Sequence, residues 1–257
     1  MSNSLAVKDL CKTYVMDKRQ NNVLKNVSFA VKEGEMVSVM GPSGSGKSTL
    51  LYTVSSMDSM TAGSVDFFGK DLSHLKPKEL AKVRLVEMGF IFQQMYMLKN
   101  LSIYDNIVLP AYQAEKGRAG RSRREINEQA EELMRKLDIM QVADNDINEV
   151  SGGQLQRACI CRSLINHPKI IFADEPTGSL NKQASYEVMK ELNRINREGT
   201  SILLVTHDVR VAAKSDRVIY LVDGRIEDEY KLGKFQTEQD LRDRERTLNG
   251  WLMEMGW

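Results

Sequence analysis

The chain has 257 residues, 42% of them hydrophobic and 28% charged, the balance of an ordinary folded domain. That excludes a disordered, collagen-like or disulfide-scaffold chain, and the length suffices for one large domain or two modest ones. With 36 Lys and Arg against 35 Asp and Glu the net charge is +1, which leaves no basic footprint and removes nucleic acid from the expected partners.

In chain order, Val27, Phe29 and Val31 alternate with polar or small residues before a Glu33-Gly34 turn. This is the pattern of a half-buried strand in an antiparallel pair. Met36 to Met40 is a short apolar strand that runs into a glycine-rich loop and then a helical pattern, Leu50, Leu51 and Val54. From about Lys76 to Glu149 strand signals are scarce. Ile126, Ala130, Leu133 and Leu137 share one helix face that opens on a Ser122–Glu125 capping box, so this stretch reads as a helical subdomain inserted into an α/β core. Lys116 to Arg124 within it is basic and reads as a solvated loop. Cys159 and Cys161 lack metal-ligand spacing and are expected in a core. Apolar strands then end at Ala173, Val205 and Val222. Between the first two runs a helix carrying Val188, Leu192 and Ile195, stopped by Gly199. Strands alternating with helices predict a parallel sheet covered on both faces. Near the end, Thr237 and Asp240 could start a helix whose stripe is Leu241, Leu248, Trp251, Leu252 and Met255. It is expected to pack back on the chain's own core or across a dimer; a membrane-interface or permease contact for Trp251 and Trp257 is the other option. No stretch approaches the ~20 apolar residues of a spanning helix, and Met1 to Leu10 holds Lys8 and Asp9 with no apolar signal region. A cytoplasmic location is the expectation.

Two clusters carry chemistry. Gly41-Pro42-Ser43-Gly44-Ser45-Gly46-Lys47-Ser48-Thr49 fits G-x-x-x-x-G-K-[ST]. Its glycines let backbone N–H groups turn toward phosphate oxygens, and the following helix points its positive end at the same anion. Lys47 is suited to the β- and γ-phosphates and the Ser48 hydroxyl to Mg²⁺. Farther on, Ile170 to Ala173 is an apolar strand ending in Asp174-Glu175. A buried parallel strand delivers its last residues to the carboxyl edge of the sheet, where ligands bind. Asp174 is suited to hold Mg²⁺, and Glu175 to polarise an attacking water.

Val150 and Ser151-Gly152-Gly153-Gln154-Leu155-Gln156-Arg157 resemble the signature of ATP-binding-cassette (ABC) ATPases. The resemblance runs from about Leu5 to Glu227, with the family's other elements in order. It implies a P-loop NTPase core with an N-terminal antiparallel β-subdomain and an inserted α-helical subdomain. The ATPase domain would span 1–230, its helical subdomain about 94–150, and 231–257 would form a C-terminal helical extension. Tyr14 matches the aromatic that stacks on adenine. Gln93 of Phe90-Ile91-Phe92-Gln93 matches the Q-loop glutamine, with a share in Mg²⁺ binding. Pro176-Thr177-Gly178-Ser179-Leu180-Asn181 matches the D-loop, and His207 the switch histidine that holds γ-phosphate and water. In the family the signature completes the site of a second copy. Ser151, Gly152, Gly153 and Gln154 would therefore cap ATP bound to the phosphate loop of a partner, and two chains would form a head-to-tail ATP sandwich.

Phe172-Ala-Asp-Glu-Pro-Thr-Gly178 resembles the wording of the branch that holds lipoprotein-release, macrolide-export, cell-division and bacitracin-type resistance ATPases. The resemblance implies the ATPase subunit of a membrane transporter, on the cytoplasmic face through a multi-spanning permease, exporting or conferring resistance to antimicrobial peptides or antibiotics. The alternative is a cell-division-type ATPase that acts through a membrane partner without moving a solute. Met95, Tyr96, Met97 and Leu98, with Tyr104, Ile107 and Leu109, are expected either to line a groove for the permease or to fill the subdomain core. Asn181 departs from the aspartate usual at the D-loop's end; either hydrolysis survives while coupling between the two sites is altered, or the change is benign.

Overall fold

The computed structural model describes residues 2–16, 19–115 and 120–257. The chain opens with a hairpin of long strands, β1 (Asn3–Met16) and β2 (Arg19–Lys32). In β2, Val27, Phe29 and Val31 are buried while their neighbours face outward, as their alternation requires. Then follow β3 (Met36–Met40), α1 (Lys47–Val54), β4 (Ala62–Phe67) and β5 (Lys70–Asp71). Strands β2, β1, β4 and β5 form a four-stranded antiparallel sheet in that order.

The middle of the chain contributes α2 (Pro77–Glu87), β6 (Met88–Phe92), α3 (Ile103–Glu115), α4 (Arg123–Lys136) and α5 (Gly152–Leu164). Strand β6 is a departure from the expectation of few strands here. It follows α2 with no intervening turn, so helical and strand patterns run together. The capping box of α4 forms as expected: Glu125 N donates to Ser122 Oγ. Residues 116–119, part of the basic loop, lie outside the described residues.

The last third supplies β7 (Ile170–Asp174), α6 (Lys182–Arg197), β8 (Ser201–Val205), α7 (Val209–Ala212), β9 (Arg217–Val222), β10 (Arg225–Lys231) and α8 (Leu241–Glu254). The second sheet runs β10-β9-β3-β8-β7-β6; all its pairings are parallel except β10 with β9. Every residue of β3, β7 and β8 is buried, as a sheet covered on both faces demands. One apolar cluster joins this sheet to α3, α4, α5 and α6 and contains Cys161. A second fills the space between the two sheets around α1. A third seats α8 on Met40, Ala212, Val218 and Tyr220 through Leu248, Trp251 and Leu252. Trp251 is thus core, not a membrane-facing residue; its Nε1 donates to Asp228 Oδ2 at 2.9 Å. Among the described residues, no helix is long and apolar enough to cross a membrane.

Candidate nucleotide site

Parallel register builds the site. Val39 of β3 aligns with Val205 of β8, Val205 with Asp174 of β7, and Asp174 with Phe92 of β6. The residues just beyond these strand ends, Gly41, His207, Glu175 and Gln93, therefore emerge side by side on one sheet edge, where α/β sheets bind ligands.

The phosphate loop leaves β3 through Gly41, whose backbone runs so close to β9 that a Cβ would lie 1.9 Å from the Leu221 carbonyl oxygen. Gly46, at φ +100°, turns the chain into α1 as its N-cap without any side-chain cap. The first N–H groups of α1 are left for an anion. Lys47 Nζ donates to the carbonyls of Gly41 and Pro42 at 2.7 and 2.8 Å. Burial lowers the Lys47 pKa, and the nearby Glu175 and Asp174 pull it partly back.

Across the loop, Ser48 Oγ donates to Asp174 Oδ1 at 3.0 Å, and Tyr52 OH donates to Asp174 Oδ2 at 2.6 Å. Burial, then the bond to Asp174, raises the Tyr52 pKa, so the phenol stays a donor. A hydroxyl and a carboxylate are hard oxygen donors that fit Mg²⁺, which keeps several waters and substrate phosphates as its other ligands. Among the described residues no group of three or more His, Cys, Asp or Glu stands together to hold a metal by itself.

Glu175 adopts left-handed φ, +47°, a strained conformation for a non-glycine residue. Its N–H donates to the Val205 carbonyl at 3.0 Å, and Gly178 N donates back to the Glu175 carbonyl at 3.1 Å. The side chain meets His207: Nδ1 and Glu175 Oε1 are 2.8 Å apart. Glu175 is nearly buried, at 14% exposure, while His207 is open to solvent, at 68%. Gln93 Nε2 lies 3.0 Å from where a Gly178 Cβ would stand, so Gln93 flanks the same turn. A cavity of about 430 Å³ is lined by Gly41, Pro42, Ser43, Lys47, Glu175 and His207, and also by Gly256 and Trp257.

Tyr14 stands beside this loop with its ring partly exposed, and its OH donates to Asp58 Oδ2 at 2.6 Å. The signature residues are elsewhere. Ser151 caps α5 by accepting from Gln154 N at 3.3 Å, while Gln154 Oε1 accepts from Ser151 N at 2.9 Å. Gly152 and Gly153 pack toward Leu180 and Ala184 at the start of α6, and Gln156 Nε2 donates to the Pro176 carbonyl at 2.8 Å. None of Ser151, Gly152, Gly153 or Gln154 lines the cavity. Asn181 is the N-cap of α6, accepting from Ala184 N at 2.9 Å. Of the two options for the segment after Gln93, Met95 and Ile107 are buried, whereas Tyr96 and Leu98 are exposed. Two participants escape the sequence reading: Tyr52, four residues after Ser48 on one helix face, a legible spacing, and Asp58, which carries no local signal. Trp257, which the sequence offers for a membrane or permease contact, lines the cavity beside Lys47.

The family description "ABC transporter" matches residues 24–178. The macrolide export ATP-binding/permease protein MacB of Psychrobacter arcticus is 40% identical over 232 residues, which cover 90% of this chain and 34% of that protein. This chain thus spans about a third of the macrolide-export relatives it matches. The ABC transporter ATP-binding protein MJ0796 of Methanocaldococcus jannaschii is 40% identical over 233 residues, 90% of this chain and 98% of that one. The solved dimeric structure of the MJ0796 cassette in a post-hydrolysis state, bound to ADP and Pi, superposes with a TM-score of 0.83 at 39% identity. That match covers 90% of this chain and 100% of the other.

Proposed function

This chain belongs to the ABC transporter family, and from that premise we propose that it is the ATP-hydrolysing motor subunit of a membrane transporter, working as a pair of identical copies. The observation that carries the reading is the single sheet edge on which Lys47, Ser48, Asp174, Glu175 and His207 converge. ATP is the substrate. Tyr14 stacks on the adenine, and Gly41, Ser43, Gly44, Ser45, Gly46 and Thr49 wrap the phosphates with backbone N–H groups, while Pro42, which has no N–H to donate, stiffens the loop between them. Lys47 exchanges its two loop carbonyls for the β- and γ-phosphates. Ser48 and Asp174, with Gln93, would hold Mg²⁺, which neutralises phosphate charge as the terminal bond breaks. Glu175 accepts a hydrogen bond from the attacking water, and His207 donates to the γ-phosphate while orienting the Glu175 carboxylate. Ser151, Gly152, Gly153 and Gln154 of the other copy cap the γ-phosphate with the N-terminus of α5. That none of them lines the cavity of their own chain supports this pairing. Residues 1–230 are the ATPase domain in this reading, 94–150 its helical insert and 231–257 an extension.

The same proposal seats a permease in a groove of about 400 Å³ lined by Arg84, Phe90, Phe92, Tyr96, Pro110 and Arg162. Arg162 holds the carbonyls of Met95 and Tyr96 at 2.6 and 2.8 Å, which presents the exposed Tyr96 ring at the rim. A membrane-face location follows through that partner. Similarity to macrolide-export proteins, together with the Phe172–Gly178 wording, supports export of, or resistance to, antibiotics or antimicrobial peptides. The test is purification of the tagged chain from detergent-solubilised membranes, with ATPase assay of wild type and Glu175→Gln. A co-purifying multi-spanning permease and a drop in turnover of at least about 100-fold are expected. A chain that comes down alone, or a Glu175→Gln enzyme that still turns over, refutes the reading.

A further inference from the structure

Helix α8 reaches the Glu175–His207 pair from both of its ends. Near its start, Leu241, Arg242 and Glu245 form one wall of a groove of about 600 Å³ that also contains Glu175, His207 and, across from them, Tyr186 of α6. Beyond its last turn, Gly256 and Trp257 close the second cavity, the one that holds Lys47. The helix is fixed there as a frame. Arg244 donates to the carbonyls of Ala213, Ser215, Leu232 and Gly233, and Trp251 packs between Tyr220 and Tyr230. Trp257 adds its own edge-to-face contact on Tyr220 at 6.1 Å.

Each opening nevertheless carries one large solvent-facing ring, Tyr186 at the first and Trp257 at the second. Trp257 and Tyr186 are each 42% exposed and Met253, also on α8, is 75% exposed. Exposed large rings beside a catalytic cavity gain most when a partner covers them. The groove carries charges of both signs, Lys182, Arg210 and Arg242 with Asp208 and Glu245, beside a Lys214–Glu238 ion pair at 2.7 Å. A mixed set of this kind is self-complementary when the same face meets itself across a two-fold axis.

We propose that α8 is part of the contact with a second copy of this chain, Trp257 beside the phosphate loop and Arg242 with Tyr186 beside the D-loop. The proposal rests on the two-copy reading above. Any chain that brings Ser151 and Gly153 to Lys47 must approach over the cavity that Trp257 borders, so the new contact is continuous with the shared nucleotide site. Helix α8 then links closure of the pair to the position of Glu175 and His207.

The test uses the full chain carrying Glu175→Gln, which holds ATP without turning it over. Sedimentation velocity with ATP and Mg²⁺, over a range of protein concentrations, gives the dimer dissociation constant. Adding Trp257→Ala or Arg242→Glu is expected to raise that constant at least about tenfold, because each dimer loses two copies of the contact. In Arg242→Glu, whose side chain does not line the cavity that holds Lys47, fluorescent ATP analogue binding to dilute, monomeric protein stays within about twofold. A second readout needs no destabilising change. Trp251 is buried at 8% exposure, so the difference in acrylamide quenching between Glu175→Gln and Glu175→Gln/Trp257→Phe isolates Trp257. ATP is expected to shield Trp257 further as protein concentration rises through the range where the dimer forms, beyond the shielding that ATP gives the dilute monomer through the shared cavity. An ATP-dependent dimer with an unchanged constant in both variants and a freely quenched Trp257 overturns the role of α8 and leaves the two-copy reading intact. If Glu175→Gln itself forms no dimer with ATP, both fall.

Discussion

Tyr52→Phe removes one hydroxyl and little else. The ring keeps its place near Phe92, at a centroid distance of 6.2 Å, so packing is conserved and the lost quantity is the 2.6 Å hydrogen bond to Asp174 Oδ2. Asp174 is 8% exposed, and Ser48 occupies only its other oxygen. Water has poor access to the orphaned oxygen, so the cost lies within the roughly 1.5–3 kcal/mol of a hydrogen bond to a charged group. About 2 kcal/mol at this chain length corresponds to a melting point lower by about 4–8 °C. The sign with pH follows from the raised Tyr52 pKa. The contribution is complete below the ordinary phenol value of about 10 and is lost only as pH rises through the higher folded value. The penalty should therefore be flat between about pH 6 and pH 9.

The same substitution tests how Asp174 is held for Mg²⁺. A carboxylate that loses its outer partner rotates more freely, and such losses typically weaken metal binding about 10- to 100-fold. The Mg²⁺ concentration for half-maximal ATPase activity is expected to rise about tenfold in Tyr52→Phe. In a cycle with Asp174→Asn, the two melting shifts should fall short of additivity by about 1 kcal/mol or more. Additive shifts with an unchanged Mg²⁺ requirement would refute the positioning role of Tyr52.

Gly41 and Gly44 separate close approach from backbone strain. Gly41→Ala drives a Cβ to 1.9 Å from the Leu221 carbonyl and should abolish stable folding or ATP binding, read by thermal melt and nucleotide titration. Gly44→Ala meets open space at φ +80° and should cost only about 1–2 kcal/mol. At the opposite end of the sheet, Arg217 donates to Glu35 at 2.9 Å and to Glu229 at 2.6 Å. Burial pushes the Glu35 carboxyl up, but the guanidinium overrides it and holds the pKa below the usual range. That stability is present above the ordinary Glu value and lost as pH falls through the lowered one. Arg217→Ala should cost about 3–5 kcal/mol near neutrality, shrinking on acidification as Glu35 protonates, measured by denaturant titration across pH. Asn181→Asp preserves the cap on Ala184 N and adds a negative charge at the start of α6, so stability should change by no more than about 0.5–1 kcal/mol. The Hill coefficient for ATP should shift more than the maximal rate, and an unmoved coefficient refutes a coupling role for the D-loop.

The legible parts of the site are those that sit where a periodic pattern stops. Asp174 and Glu175 follow an unbroken apolar run, His207 follows another, and Gly41 to Thr49 breaks a third; each strand end is visible in residue types alone. Strand β6 was hidden because Glu87 passes directly into Met88 and because Gly89 looks like a breaker. In the fold it is required: a Cβ there would lie 2.9 Å from the Ser163 carbonyl of α5. Strand β10 had a signal, the Asp223-Gly224 pair with positive φ at both residues, which is the favoured two-residue hairpin turn. The bond from Tyr14 to Asp58 spans 44 residues. Trp257 over Tyr220 is equally non-local, and neither leaves a trace in local pattern.

Register also explains why the site is sensitive to distant changes. Gln93, Glu175, His207 and Gly41 share an edge only because four neighbouring parallel strands end in step. A one-residue slip in any of them would turn its side chains to the other face. The strands resist that slip because β3, β7 and β8 are buried throughout, and a slipped register would still have to fill both packed faces. Rigidity of the edge lets one strained residue persist on it. Glu175 keeps φ +47° because Val205 and Gly178 hold its backbone from either side, and that turn aims its carboxylate at His207 and away from the strand axis. The other two polar groups of the edge lie off the strands themselves: the His207 ring is open to solvent, and the Lys47 ammonium rests on two loop carbonyls.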